Sequence, residues 1–102
     1  ESKISRVTDL PYLTAMVKRV GEALGLIGHN TVQAFLDAER GPLFIEVNPR
    51  FGGASNLSIR AGLDSPRRIL QMIRGDETAY RPKKITFGAT MFRYSQDVIT
   101  GI

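Results

Sequence analysis

The sequence predicts an α+β fold: an antiparallel β-sheet with helices packed on one face, built as a single domain over residues 1–102. Three observations predict it. Leu13, Met16, Val17, Val20 and Leu24 recur at helical spacing. The segment Thr31–Asp37 alternates polar and apolar residues like a strand, and a second strand, 43–48, follows it across a polar turn.

Each element has a local cause. Thr8 and Asp9 offer N-caps for the first helix, Pro11 suits its first turn and Gly25 supplies the stop. Lys18, Arg19 and Glu22 fall opposite its apolar stripe, so this helix is expected to cover a sheet face. Gly28-His29-Asn30 turns the chain into the hairpin, and Ala38-Glu39-Arg40-Gly41 reads as a four-residue turn. That loop length places Thr31 opposite Asn48, Gln33 opposite Glu46 and Phe35 opposite Phe44. On the other face Val32 meets Val47, Ala34 meets Ile45 and Leu36 meets Leu43. A one-residue slip would mix the polar and apolar sets, which is costly where one face is buried.

After Pro49, Arg50-Phe51-Gly52-Gly53-Ala54 is a glycine-containing loop. Ser55 or Asn56 can cap a short helix ended by Gly62, and the N–H groups at its start could receive an anion. Ser65-Pro66 starts another helix, with Ile69, Leu70 and Ile73 expected inside and Gly75 ending it. Residues 76–84 read as polar and extended, and 85–94 alternate loosely as a third strand.

Composition bounds the function classes. Apolar residues are 42 % of the chain and charged residues 24 %, the balance of an ordinary soluble globular domain. No apolar run is long enough to cross a bilayer, and the N-terminal stretch lacks the hydrophobic core of a signal peptide. Cysteine is absent, which excludes disulfides and thiolate metal sites and fits a cytoplasmic setting. The net charge of +4 comes from scattered residues (Lys18-Arg19, Arg67-Arg68, Arg74, Arg81, Lys83-Lys84), without the contiguous basic run expected of a nucleic-acid arm. The first residue is Glu1, so the chain is either processed or a segment of something longer.

The chemistry concentrates on one strand end. Alternation puts Glu46, Asn48 and Arg50 on one face, with neighbours about 6–7 Å apart. Gln33 joins them from across the hairpin. A carboxylate within Leu43-Phe44-Ile45-Glu46-Val47 is expensive if buried without a cation. Magnesium favours hard oxygen donors, with one or two carboxylates plus phosphates and water. Glu46, Asn48 and Gln33 offer such donors, and Arg50 could bond a phosphate bidentately. Gly52 and Gly53 would let backbone approach a ligand. The plainer alternative is a Glu46–Arg50 surface pair with Asn48-Pro49 beginning a turn. His29, the only histidine, is read as a loop residue, Asp37 as a turn-former, Arg60 as either a substrate or phosphate contact or a solvated surface residue, and Arg93 and Tyr94 as structural strand residues.

The string Phe44-Ile45-Glu46-Val47-Asn48-Pro49-Arg50-Phe51-Gly52-Gly53 resembles the Glu-x-Asn-x-Arg signature of the ATP-grasp superfamily, in its carbamoyl-phosphate-synthase-like form. Asn30-Thr31-Val32-Gln33, Ser58-Ile59-Arg60-Ala61-Gly62 and Gly88-Ala89-Thr90-Met91-Phe92-Arg93-Tyr94 extend the similarity along most of the chain. The resemblance implies an ATP- and magnesium-dependent ligase, with manganese as an alternative metal, that activates a small carboxylate as an acyl phosphate. It implies Glu46 and Asn48 as metal ligands, Gln33 as a third, and Arg50 as the catalytic phosphate contact. It also implies that the chain is the C-terminal subdomain. The phosphate-binding lysines, adenine pocket and hinge strand would belong to an N-terminal lobe for which residues 1–27 offer no candidate. Such a half is expected to be inactive alone and to self-associate through uncovered apolar faces and strand edges. A non-catalytic basic interaction module that keeps the fold is the competing reading.

Overall fold

The computed structural model describes residues 3–76 and 83–102. The elements run β1 (Ile4–Arg6), α1 (Pro11–Leu24), β2 (Thr31–Asp37), β3 (Gly41–Asn48), α2 (Ser55–Arg60), α3 (Ser65–Ile73) and β4 (Thr90–Phe92). The fold is α+β, with small antiparallel sheets and helices. Most of the 76–84 stretch expected to be extended lies outside the described residues.

The strands form two two-stranded sheets, β1 with β4 and β2 with β3. The expected third strand is therefore reduced to Thr90–Phe92, and its partner is an N-terminal strand that no alternation announces. Ile4 pairs with Phe92 and Arg6 with Thr90. Backbone bonds continue the ladder at both ends, from Arg93 N to Lys3 O at 2.7 Å and from Val7 N to Ala89 O at 2.9 Å.

The β2–β3 hairpin matches the expected register only at its site end. Thr31 faces Asn48, Val32 faces Val47 and Gln33 faces Glu46. Beyond Gln33 a bulge skips Ile45, so Ala34 pairs with Phe44 and Phe35 with Leu43. Turn chemistry explains the shift. The Asp37 carboxylate accepts hydrogen bonds from the backbone N–H of Glu39 at 2.9 Å and of Arg40 at 2.8 Å. The Arg40 guanidinium closes on it at 3.3 Å. These bonds fix a three-residue loop that ends at Gly41, one residue shorter than expected. The bulge absorbs the difference. Ala34-Phe35-Leu36 is apolar on both faces and offers no resistance to it.

Helix ends are set by backbone more than by side-chain caps. Leu10, not Thr8 or Asp9, occupies the N-cap of α1, without a side-chain hydrogen bond. Ala54 and Asp64 precede α2 and α3, so Ser55 and Ser65 lie inside the helices rather than capping them. Proline in the first turn starts α1 and α3, as expected. Gly25 ends α1 in the left-handed conformation with its N–H bonded to the last turn.

No residue of α1, α2 or α3 is buried. Leu70 and Ile73, expected inside, are 57 % and 77 % exposed. Among the described residues Ala61 alone, at 4 %, is a buried hydrophobic. The accessible surface is 8423 Å², against about 5,700 Å² for a compact protein of this mass. The radius of gyration is 16.5 Å, against about 13 Å for a compact domain of this length. The chain thus carries amphipathic elements whose apolar sides find little cover within it. No helix among the described residues is long and apolar enough to cross a membrane.

Candidate functional site

The open end of the hairpin and the loop after it form a cleft of about 700 Å³. Gln33, Glu46, Asn48 and Arg50 all line it, together with Gly52 and Ser55. The register places Gln33 directly across from Glu46, and Thr31 across from Asn48. Strand alternation then directs Glu46 and Asn48 to the same side. The four residues singled out from the sequence are therefore brought together.

The loop that carries Arg50 is held by named bonds. Arg50 N–H bonds to Asn48 O at 2.8 Å, a tight turn imposed where Pro49 interrupts the ladder. Thr31 Oγ1 donates to the Arg50 carbonyl at 3.0 Å, tying the turn back to β2. Gly52 passes so close to Thr31 that a Cβ there would lie 3.0 Å from Thr31 Oγ1 and 3.2 Å from Cγ2. Arg93, at the end of β4, donates through Nη2 to Gly53 O at 2.6 Å. Arg93 is thus structural, as its sequence context suggests, and it joins the second sheet to the loop of the site.

Within the cleft, Asn48 Nδ2 donates to Glu46 Oε1 at 3.0 Å. That bond uses the amide nitrogen as donor, so Asn48 Oδ1 remains an oxygen donor toward a cation. Arg50 Nη1 donates to Phe51 O at 3.1 Å. Among the described residues there is no Glu46–Arg50 ion pair, which removes the main support for a simple surface pair. Glu46 is exposed, however, and not buried in a packed strand. The expectation that burial makes its charge costly is corrected: Phe44 and Ile45 on the same strand are themselves exposed.

The donor set fits a magnesium ion bound together with phosphates. It comprises one carboxylate, Glu46, and two amide oxygens, from Asn48 and Gln33. Among the described residues no group of three or more His, Cys, Asp or Glu could hold a metal. An all-protein carboxylate cage is therefore absent there, and such sparse protein ligation is what magnesium accepts when phosphates and water complete the octahedron.

The sequence left His29 without a role. In the structure its ring stacks on Phe51, with centroids 4.3 Å apart and planes at 27°. It lines both the cleft and a second cavity. A lone histidine before a strand gives no signal of this, because its partner lies beyond the hairpin.

The family model described as "ATP-grasp in the biosynthetic pathway with Ter operon" matches residues 1–94. Neither a curated protein nor a solved structure gives a match. The match spans β1 through β4 and includes every residue of the cleft. With that match covering most of its length, the chain belongs to this ATP-grasp family.

Proposed function

We propose that this chain supplies the metal- and phosphate-binding side of the ATP site in a carbamoyl-phosphate-synthase-like ligase. The ligase would activate a small carboxylate as an acyl phosphate. Family membership makes this an ATP-dependent ligase-type domain. One observation carries the finer reading: Gln33, Glu46, Asn48 and Arg50 converge on a single cleft.

In the proposed reaction a carboxylate oxygen attacks the γ-phosphorus and ADP leaves. An amine or similar nucleophile then attacks the acyl carbon, releasing phosphate. Glu46, Asn48 and Gln33 would hold magnesium, or manganese in its place. When bound, the ion offsets the negative charge of the nucleotide phosphates. Arg50 would turn its guanidinium from Phe51 O onto the transferring phosphoryl group and stabilise the charge that develops there. Thr31 and Gly52 set the height of the Arg50 backbone above the strand end.

The exposed apolar surface supports the further reading that an N-terminal lobe covers this half in the parent enzyme, and that the chain alone is inactive and self-associates. A cytoplasmic setting agrees with ATP use and with the lack of cysteine. The alternative, a basic module for polyanions, gains no specific support, since a carboxylate sits in the middle of the cleft.

The test has two parts. On the longer parent chain, Glu46→Ala should abolish magnesium-dependent ATP turnover, and survival of turnover would refute the metal assignment. On the chain itself, Mn²⁺ should broaden the NMR signals of Gln33, Glu46 and Asn48 first, while calorimetry should show no tight binding of Mg·ATP. Micromolar affinity would overturn the half-site reading.

A further inference from the structure

Two stretches of chain remote in sequence meet over the loop of the site. Asn30 Nδ2 donates to the carbonyls of Ile27 at 3.2 Å and Gly28 at 3.3 Å, which fixes the turn leading into β2. His29 lies inside that turn, so its ring has a set place from which to stack on Phe51, with centroids 4.3 Å apart. Two residues further on, Thr31 Oγ1 donates to the Arg50 carbonyl. The entry to β2 thus grips two successive residues of the loop, Arg50 by its backbone and Phe51 by its ring.

The two grips act on different parts of Arg50. The Thr31 bond holds the main chain and does not direct the guanidinium. That group instead donates through Nη1 to the Phe51 carbonyl at 3.1 Å. The carbonyl belongs to the peptide joining Phe51 to Gly52, and both ends of that peptide are anchored. Gly52 lies against Thr31, and Phe51 is held by its ring on His29. Without the ring contact the peptide would keep one anchor, at a glycine, the residue whose backbone resists rotation least. Arg50 is exposed, so a turned carbonyl would release a long side chain with much rotamer freedom into solvent. A neutral carbonyl also suits a resting partner, because a phosphoryl group offers two charged oxygens to the same fork and displaces it.

Resting on the proposed ligase function, we infer that His29 is a positioning residue: through Phe51 it keeps the Arg50 guanidinium at the cleft, ready for the transferring phosphoryl group. It works by raising the fraction of molecules with Arg50 in place, and that fraction scales the strength of the phosphate contact.

Guanidinium NMR signals of Arg50 test this in the chain itself, read beside the Thr31 methyl that lies against Gly52. His29→Ala and Phe51→Leu should each move the Arg50 signals to those of a free arginine and leave the Thr31 methyl in place. His29→Phe, which can still stack, should keep the bonded signals. The double variant should be no worse than either single one, since both remove the same contact. On the parent enzyme, His29→Ala should lower kcat roughly two- to ten-fold, the worth of an aromatic pair, with KM unchanged, and His29→Phe should recover it. Unchanged Arg50 signals in His29→Ala would overturn the inference. So would a Thr31 methyl that moves with them, since the ring would then merely hold the loop together, and so would loss of the bonded signals in His29→Phe. Arg50→Ala on the parent enzyme reads the ligase function separately. If turnover survives that change, the phosphate role of Arg50 fails and the use assigned to His29 fails with it. If Arg50→Ala abolishes turnover while His29→Ala leaves kcat intact, the positioning role alone is refuted.

Discussion

Replacing Gly62 by alanine tests how the second cavity is held together. Gly62 has φ of +124°, a conformation that side-chain-bearing residues rarely adopt. A Cβ there would lie 2.7 Å from Lys84 O and 3.3 Å from Ile85 Cδ1. The neighbour that must give way is backbone, and it is pinned one step further on by the Thr86–Ala61 hydrogen bond. Backbone strain of this kind costs about 1–3 kcal/mol, and losing the adjoining hydrogen bond adds about 0.5–1.5 kcal/mol. A loss of roughly 2–4 kcal/mol follows, and at about 4–8 °C per kcal/mol it should lower Tm by at least 8 °C. The control is Gly21→Ala, within α1, where a new Cβ meets nothing within 4 Å. That change should stabilise the chain by about 0.5–1 kcal/mol, because alanine loses less backbone freedom in a helix. Far-UV circular dichroism melts of both variants give the magnitudes, and hydrogen exchange at the Thr86 amide gives the location. If Gly62→Ala melts with the unaltered chain and the Thr86 amide keeps its protection, the Gly62–Lys84 approach and the Thr86–Ala61 bond are not what hold this segment against Ala61.

Other outcomes follow from the same bonds. Thr31→Val keeps the shape of the side chain and removes its hydrogen bond to the Arg50 carbonyl, so the urea midpoint should fall by an amount equivalent to about 0.5–1.5 kcal/mol. On the parent enzyme, Arg50→Lys should lower kcat about 100-fold with little change in KM, because a lysine cannot hold a phosphoryl group bidentately. Asp64 should titrate below the usual carboxylate value of 3.8, chiefly because Lys83 bonds its charged form. Asp37 should do the same, because the Arg40 and Glu39 backbone N–H groups bond its carboxylate. Both pKa values are depressed by folding, so these contributions are complete above the ordinary carboxylate value and are lost as pH falls through the folded one. Carbon-13 titration of the two carboxyl groups checks this, and midpoints at or above 3.8 would contradict the bonding described.

What could be read from the sequence depended on whether neighbouring residues constrained one another. At the site end of the hairpin, polar and apolar residues alternate in both strands, and only one register keeps Gln33, Glu46 and Asn48 together. At the far end Ala34-Phe35-Leu36 faces Pro42-Leu43-Phe44, and nothing in that pattern resists a shift of one residue. The Asp37 turn decided it. The β1–β4 pair was illegible for a different reason: Ile4–Arg6 is too short to show alternation, and its partner is remote in sequence. Misjudging Glu46 had a third cause. An apolar run is taken as packed, but packing requires an opposite surface, and Ile45 is 55 % exposed here. The second cavity draws on residues from 28 to 85, so no local motif could announce it.

The exposure of the site decides what the chain can do by itself. Two unit charges 4 Å apart interact by about 1 kcal/mol in bulk water, and by about 4 kcal/mol where the effective dielectric falls to 20. Arg50 and Glu46 are both exposed, so in the chain alone Arg50 acts near the first value. Each factor of ten in rate requires about 1.4 kcal/mol, so an open cleft gives Arg50 less than one decade of advantage. Excluding water would raise the same contact to nearly three decades without moving an atom of this chain. The hairpin and its tethered loop bring Glu46, Asn48 and Arg50 to one cleft, but the strength of any charge contact they make depends on what closes over them. The exposed apolar side chains of Phe35 and Ile45 on the hairpin, and of Leu70 and Ile73 on α3, are surface on which such a cover would seat.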